Sequence, residues 1–200
     1  GSADENKTPP AEENEKTNVI LIMADDMGYE TLGCNGGLSY DTPNLNEMAE
    51  QGKRFTHCYS QPLCTPSRVK IMTGKYNYRN YEGFEYLNPE EKTFGNVMKQ
   101  AGYSTCIVGK WQLNGVSGQG TSKEHHPGWN NMDRPKTFGF EEYSLWQVTE
   151  RHKRYADPYI EQNGKVVQWL EDAYGPDVFC NYAIDFMERN RDEPFFLYYP

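Results

Sequence analysis

Short apolar runs and amphipathic segments alternate along the chain, and this alternation predicts the elements of the fold. Three apolar runs have the length of strands that are buried on both faces, as in a parallel sheet. They lie at 18–24, 103–108 and 195–199. A further strand is predicted from Lys53 to Tyr59.

Four segments carry apolar residues at helical spacing, and each is bounded by residues that begin or end helices. Thr caps helix N-termini, Pro is favoured at the first helical position, and Gly ends helices. On this basis the predicted helices run from 42 to 52, 66 to 73, 93 to 102 and 176 to 191.

The remaining pattern completes the prediction of the fold class. Asn163-Gly164 separates two strand-like segments, 159–162 and 165–168, and predicts a β-hairpin with a type I′ turn. Residues 114–136 are rich in Gly, Asn, His and Pro and predict a long surface loop. Strands that alternate with helices predict an α/β fold, with a mostly parallel central sheet flanked by helices.

Composition and charge narrow the function classes. The 200 residues, 36% of them hydrophobic, suffice for one sizeable core. The net charge of -9 excludes a global basic field for nucleic acid, so an anionic substrate needs local positive charge. No stretch approaches the roughly 18 apolar residues of a membrane helix. Residues 1–16 predict a flexible tether that opens on Gly1-Ser2, a pair typical of a cloning remnant, and 17–200 then form one domain.

The five cysteines form no CxxC pair and no zinc-binding pattern. Four of them are predicted to be buried thiols that pack as small hydrophobic residues, namely Cys34, Cys58, Cys106 and Cys180. Cys64 stands in a different context, described below.

Charged residues follow two of the predicted strands. In open α/β sheets, ligands bind at the carboxyl ends of the strands. Asp25 and Asp26 follow the first strand, and Lys110 follows the second. Adjacent carboxylates repel each other, and a hard divalent cation with oxygen ligands would relieve that repulsion. The dipeptide alone favours the alternative, a helix N-cap beside a solvated aspartate.

The segment from Cys64 to Gly74 has the features of an anion site. Pro66 favours helix initiation, which puts residue 64 at a helix N-terminus, where backbone N–H groups and the helix dipole favour an anion. Arg68 lies four residues on, on the same helix face. A nucleophile, an anion site and a guanidinium would then converge. The alternative is a capped helix with a buried thiol and a surface arginine.

Cys64-Thr65-Pro66-Ser67-Arg68, followed by Thr73-Gly74, resembles the signature of the type I, formylglycine-dependent sulfatases of the alkaline phosphatase superfamily. Further segments resemble family landmarks in the same order, at 18–36, 42–45, 52–59, 102–103, 108–111, 138–140 and 194–198. The resemblance covers 18–199 and implies the N-terminal part of a sulfatase catalytic domain, with an incomplete sheet.

The resemblance also implies a mechanism. In the family, a maturation enzyme oxidises the motif cysteine to formylglycine, whose hydrate attacks the sulfur of a sulfate ester and later expels sulfate. By position, Asp25 and Asp26 would bind a cation, usually Ca²⁺ with Mg²⁺ possible, and residue 64 would be both nucleophile and metal ligand. Arg68 would hold the hydrate, and Lys110 would bind a sulfate oxygen.

Two departures from the family pattern stand out. Where the family reads Gly-Lys-Trp-His-Leu-Gly, this chain has Gln112 in place of the histidine that contacts the hydrate. Glutamine can form hydrogen bonds but cannot act as a base near neutral pH. Either another group takes the proton, the expulsion of sulfate is slow, or the site is arranged differently. His125 and His126 are candidates for substrate binding, or are a solvated loop pair. The second departure is that the family's later metal ligands, second lysine and second histidine have no match here.

These features predict hydrolysis of a sulfate ester, and the polar loop at 114–136 points to a sulfated carbohydrate as the substrate. The predicted binding partner is accordingly a sulfated small molecule or glycan. Two alternatives remain open: a phosphonate or phosphodiester hydrolase with the same nucleophile, and a non-catalytic pseudo-sulfatase, favoured by Gln112 and the missing half of the site. The resemblance further implies a maturation enzyme as partner and a periplasmic or secreted location.

Overall fold

A central sheet organises the molecule. The computed structural model describes residues 16–116, 125–168 and 172–200, and within them the sheet has six strands in the order β1-β6-β2-β3-β4-β5. The strands are β1 (Val19–Ile22), β2 (Ser104–Lys110), β3 (Glu142–Trp146), β4 (Tyr159–Gln162), β5 (Lys165–Gln168) and β6 (Phe195–Tyr199). The helices are α1 (Pro43–Gln51), α2 (Cys64–Thr73), α3 (Phe94–Gln100), α4 (Arg134–Thr137) and α5 (Gly175–Arg189).

The sheet is mostly parallel, which confirms the predicted fold class. β6 pairs in parallel with β1 on one side and with β2 on the other, and β2 pairs in parallel with β3. β4 and β5 form the predicted antiparallel hairpin. Asn163 and Gly164 have φ values of 49° and 84°, as a type I′ turn requires at both central positions.

Buried side chains of the described residues form two core clusters. The first packs α2 and β6 with the segments that follow β2 and precede β3, and its largest members are Trp111, Phe138, Phe140, Tyr143 and Tyr198. The second packs α5 against β2 and β6, with Phe179, Ala183 and Phe186 on the helix side. The sheet therefore has a hydrophobic layer on each face, and its carboxyl edge is left for polar side chains.

Strand β1 is more exposed than predicted. Leu21 and Met23 pack against the first core cluster, but Ile20 and Ile22 are 49% and 67% exposed. Successive side chains of a strand point to opposite faces, and β1 is an edge strand that pairs only with β6 within the described residues. The prediction of a strand buried on both faces was therefore wrong for β1.

Other local predictions also differ from the structure. Lys53 to Tyr59 is irregular rather than a strand, with Phe55 and Tyr59 largely exposed. Strand β3, with the sequence Glu-Tyr-Ser-Leu-Trp, was not predicted, although its polar and apolar residues alternate over a very short span. Cys106 is buried as expected, whereas Cys58 and Cys180 are exposed.

Two predicted segments lie partly outside the described residues. They are the tether at 1–16, of which only Lys16 is described, and residues 117–124 of the loop at 114–136. The end of that loop forms α4. None of the helices in the described ranges is long and apolar enough to cross a membrane.

Candidate active site

The carboxyl edge of the sheet brings Asp25, Lys110 and Arg68 together. Asp25 follows β1, and Lys110 is the last residue of β2. The Lys110 Nζ atom lies 2.9 Å from Asp25 Oδ2, and Arg68 Nη2 lies 3.7 Å from Asp25 Oδ1. Arg68 is almost fully buried, and its Nη1 donates to the Lys110 carbonyl oxygen at 2.7 Å. Three of the predicted site residues therefore form one network.

A fourth charged residue, Arg154, joins this network and was not predicted. Its Nη1 atom lies 3.0 Å from Asp25 Oδ2. The guanidinium packs over the rings of Trp146 and Tyr155, with 5.2 and 4.7 Å from Cζ to the ring centroids. Arg154 follows β3, so its position depends on a strand that the sequence pattern did not reveal.

The charges of this network decide the ionisation of Asp25. Burial raises the pKa of Asp25, but the hydrogen bond and charge of Lys110, the hydrogen bond from Arg154 and the charge of Arg68 together outweigh it. The pKa of Asp25 is therefore lowered, and the carboxylate is ionised at neutral pH. Three cations face this one carboxylate, an arrangement that leaves positive charge for a bound anion.

Cys64 is the first residue of α2, two residues earlier than the predicted start of that helix. It is half-buried, and Leu63 before it has extended backbone at the N-cap position. The Sγ atom lies 3.6 Å from Gln112 Oε1. The thiol at the N-terminus of α2 therefore contacts Gln112, and Arg68 one turn later connects α2 to Asp25.

Gln112 in turn contacts Glu85, a second residue that was not predicted. Gln112 Nε2 donates a hydrogen bond to Glu85 Oε1, and both side chains are buried. Glu85 comes from an irregular segment between α2 and α3, and a bridge between Tyr86 and Asn114 holds that segment beside the end of β2. No signal in the local sequence distinguishes Glu85 from the neighbouring acidic residues.

The two loop histidines lie elsewhere. The His126 ring stacks on Tyr86 with centroids 3.9 Å apart, and the His125 ring stacks on Trp129 at 4.2 Å. Within the described ranges neither ring forms a hydrogen bond with Cys64 or Lys110. Their role in substrate binding stays a prediction.

The described residues supply only part of a cation site. Asp25 and Asp26 offer the hard oxygen ligands that Ca²⁺ and Mg²⁺ prefer. Six to eight oxygens surround a bound Ca²⁺, whereas the described part of the chain contains no group of three or more His, Cys, Asp or Glu side chains suited to a metal. The donors fit a hard cation in kind but do not complete its shell, and the Asp25 oxygens contact Lys110 and Arg154 instead.

Solved structures of the alkaline-phosphatase-like class share this fold. The structure of BT4656 in complex with its substrate D-glucosamine-2-N,6-O-disulfate matches with a TM-score of 0.73 and 31% identity, over 92% of this chain and 34% of that chain. The putative sulfatase yidJ from Bacteroides fragilis matches with a TM-score of 0.72 over 99% of this chain and 45% of its own. At 22% identity, the second match supports the fold alone.

Sequence comparison then gives the family. The Sulfatase family model matches residues 17–200, and the chain belongs to the sulfatase family. The N-acetylglucosamine-6-O-sulfatase of Bacteroides thetaiotaomicron is 31% identical over 195 residues, which are 96% of this chain and 31% of that protein. The N-acetylgalactosamine-6-sulfatase of Homo sapiens is 33% identical over 214 residues, 91% of this chain and 38% of that protein. The chain thus spans about a third of the length of these relatives.

Proposed function

We propose that the protein hydrolyses a sulfate ester of a carbohydrate, with residue 64 as nucleophile after its oxidation to formylglycine. The observation that carries this proposal is the cluster of Lys110, Arg154 and Arg68 around Asp25, beside the helix that begins at residue 64. The names of the relatives support a sugar sulfate as substrate, as does the disulfated glucosamine bound to BT4656.

The cations suit the charge of a sulfuryl group. In this proposal Lys110 binds a sulfate oxygen, and Arg154 adds a second positive charge to the same edge of the sheet. Arg68 Nε is buried and has no hydrogen-bond partner within the described residues, so they leave this donor unused. Donors that are fixed in place before charge develops stabilise a transition state without reorganisation.

Residue 64 acts from the N-terminus of α2. A formylglycine there would supply, as its hydrate, one hydroxyl oxygen that attacks sulfur while the ester S–O bond breaks and the alcohol leaves. The second hydroxyl would then lose its proton, the C–O bond to the sulfate would break, and the aldehyde would return. The backbone N–H groups of the first turn of α2 and the helix dipole stabilise negative charge at this position. In the cysteine form the thiol takes the place of these hydroxyls, and turnover should be very low.

We further propose that Asp25, Asp26 and residue 64 contribute to a divalent cation site, with Ca²⁺ favoured over Mg²⁺. A cation bound there would act as a Lewis acid toward the sulfuryl oxygens. The proposal includes a maturation enzyme that acts on the segment from Cys64 to Arg68, and a periplasmic or secreted location for the natural protein.

The first experiment is mass spectrometry of the natural protein made together with a maturation enzyme. Trypsin should release the peptide from Phe55 to Arg68, which contains both Cys58 and residue 64. The expected result is the mass loss of a thiol-to-aldehyde conversion, with one remaining alkylated cysteine at Cys58 as an internal control. Two alkylated cysteines under these conditions would contradict the proposed nucleophile.

The second experiment compares substrates on that preparation. A 6-O-sulfated N-acetylglucosamine, an aryl sulfate and a phosphodiester are assayed side by side. Sulfate release that exceeds phosphodiester cleavage supports the proposal. Faster phosphodiester cleavage favours the alternative hydrolase, which a site built for a tetrahedral anion also suits, and a converted residue 64 with no turnover favours a binding protein.

A further inference from the structure

Glu85 is a buried carboxylate with an unusual environment. Its side chain is 1% exposed, and within the described ranges it forms no ion pair with Lys, Arg or His. Oε1 accepts a hydrogen bond from Gln112, whereas Oε2 is buried and has no hydrogen-bond partner in the described part of the chain. A buried polar group destabilises a protein unless it has a partner, so the buried, unpartnered Oε2 of Glu85 calls for an explanation.

Glu161 offers a comparison within the same molecule. This carboxylate is also fully buried, but it accepts hydrogen bonds from the backbone N–H groups of Val148 and Thr149, at 2.8 Å each, and from the Thr149 hydroxyl. Glu161 therefore stabilises a turn with most of its acceptor capacity used. Among the described residues Glu85, in contrast, has a single side-chain partner, and that partner faces residue 64.

The contact with Glu85 fixes the orientation of the Gln112 amide. Gln112 Nε2 donates to Glu85 Oε1, so the NH₂ group of Gln112 faces Glu85. The carbonyl oxygen, Oε1, then faces residue 64 and lies 3.6 Å from the Cys64 Sγ atom. A hydroxyl on residue 64 must therefore donate a hydrogen bond to this oxygen. The lone pairs of that hydroxyl then point away from Gln112.

The backbone around this contact is also held in uncommon conformations. Glu85 and Gln112 have φ values of 61° and 52°, in the left-handed region that residues other than glycine seldom adopt. The Glu85 N–H donates to Thr65 Oγ1 at 3.0 Å, and Thr65 directly follows residue 64. The Gln112 N–H donates to the Gln147 carbonyl oxygen at 3.2 Å. Backbone outliers of this kind cluster at functional sites.

We propose that Glu85 is a positioning residue that acts through Gln112, and this inference rests on the proposed function. Glu85 locks the amide so that Gln112 presents only an acceptor to residue 64. The hydroxyl that donates to it is thereby held in one rotamer, with its lone pairs directed at the reacting centre. The hydrogen bond to Glu85 also strengthens the acceptor, because hydrogen bonds in series polarise one another.

The kinetic test uses the natural protein with its aldehyde verified by mass. Glu85→Leu removes the acceptor, and kcat should fall on the order of 10- to 100-fold, as expected when a positioned polar group loses its orientation, with KM little changed. Glu85→Gln keeps an acceptor for Gln112 and should restore most of kcat. Glu161→Gln is the matched control, because it removes another buried carboxylate and should lower the melting temperature more than kcat.

A double-mutant cycle separates action through Gln112 from a merely structural role. Glu85→Leu should cause no further loss of kcat when it is combined with Gln112→Ala, because the two residues act as a unit. An equal loss of kcat in both backgrounds, or a folded Glu85→Leu variant with unchanged kcat, would overturn the proposal.

A readout without turnover uses an aminooxy probe that reacts with the free aldehyde of residue 64, with labelling followed by mass spectrometry. An acceptor that holds the hydrate slows labelling, so Glu85→Leu and Gln112→Ala should label several-fold faster than the wild type by loss of one hydrogen bond. Equal labelling rates for all variants contradict the positioning role. A wild type that labels but hydrolyses no sulfate ester contradicts the proposed function alone, and the labelling ratios then still decide the role of Glu85. If Glu85→Leu does not fold, Glu85→Gln is labelled in its place, and a rate equal to that of Gln112→Ala contradicts the proposal.

Discussion

Asp25 and Lys110 form an ion pair of 2.9 Å although they lie 85 residues apart in sequence. Asp25 follows β1, and Lys110 is the last residue of β2. These two strands are not neighbours in the sheet, because β6 lies between them. The lysine side chain thus links the ends of two strands that β6 separates. The position of the positive charge therefore depends on strand order as well as on sequence. Substitution of Lys110 tests what that charge does.

Removal of the Lys110 ammonium tests its proposed contact with sulfate. We expect Lys110→Met to lower kcat/KM on the order of 100- to 1,000-fold, as for the loss of one preorganised donor to a developing charge. Steady-state assays with a sugar sulfate measure this. Lys99→Met is the control, since Lys99 pairs with Glu141 at the surface and should leave kcat/KM unchanged. Equal effects of the two substitutions would remove Lys110 from the site.

Arg154 is predicted to belong to the anion site. Arg154→Gln should weaken inhibition by inorganic sulfate and lower kcat/KM by about 10-fold or more, because a charge-assisted contact is lost. Arg151→Gln is the control from the same loop and removes the same charge from an exposed side chain. If both variants bind sulfate equally well, the pairing of Arg154 with Asp25 is only structural.

Gln112→His tests whether the glutamine is required as such. An imidazole can donate one ring N–H to Glu85 and present the other nitrogen to residue 64, so we expect turnover to persist. The pH dependence of kcat should then acquire a new ionisation near that of histidine. An inactive but folded Gln112→His enzyme would show that the amide has a role of its own.

Gly139 is predicted to tolerate no side chain. Its φ is 89°, and an added Cβ would collide with the backbone of Gly95 and Asn96 in α3. We expect Gly139→Ala to prevent folding or to destabilise strongly. Gly36 is the matched control, with φ 90° and nothing within 4 Å of an added Cβ, so Gly36→Ala should cost only the left-handed strain, about 1–2 kcal/mol. Thermal unfolding of both variants measures the difference.

Tyr143 predicts how stability changes at high pH. Burial, opposed by the hydrogen bond from the Gly164 backbone, raises the pKa of Tyr143 to about 12. The ordinary tyrosine pKa is about 10, so the unfolded chain loses this proton first. The contribution of Tyr143 to the free energy of unfolding is therefore complete below about pH 10 and is lost as the pH rises to about 12.

Urea unfolding between pH 9 and pH 12 should show this decline. Tyr143→Phe should reduce the slope of the free energy of unfolding against pH. The variant also loses the hydrogen bond to the Met132 carbonyl oxygen, so it is less stable than the wild type at pH 9. If the free energy of unfolding falls equally with pH in the wild type and in Tyr143→Phe, the decline is not due to Tyr143. The buried Tyr198, whose pKa is also about 12, accounts for part of the remaining slope.

Much of the fold follows from local signals. Strands β2 and β6 and the helices α1, α3 and α5 are marked by apolar runs, caps and terminating residues, all of which act over a few positions. Asp25 and Lys110 were identified because charged residues at the ends of buried strands meet at one edge of a sheet. These features need no knowledge of which strands are neighbours.

The remaining features depend on long-range pairing. Arg154 reaches Asp25 only because β3 lies beside β2, and Glu85 reaches Gln112 only because Tyr86 pairs with Asn114. Neither contact has a periodic pattern in the sequence. The exposure of Ile22 has the same origin, since hydrophobicity indicates a strand but not whether the strand lies at an edge.

The pairing of β1 with β6 has a consequence for folding during synthesis. Phe195 N–H donates to Asn18 Oδ1, a contact between residues 177 positions apart. At a synthesis rate of about 5–20 residues per second, β1 leaves the ribosome roughly 10–35 seconds before its partner strand. During that interval the apolar segment 18–24 lacks its partner strand β6, so chaperones that bind nascent apolar segments should cross-link to it and should be released once β6 emerges.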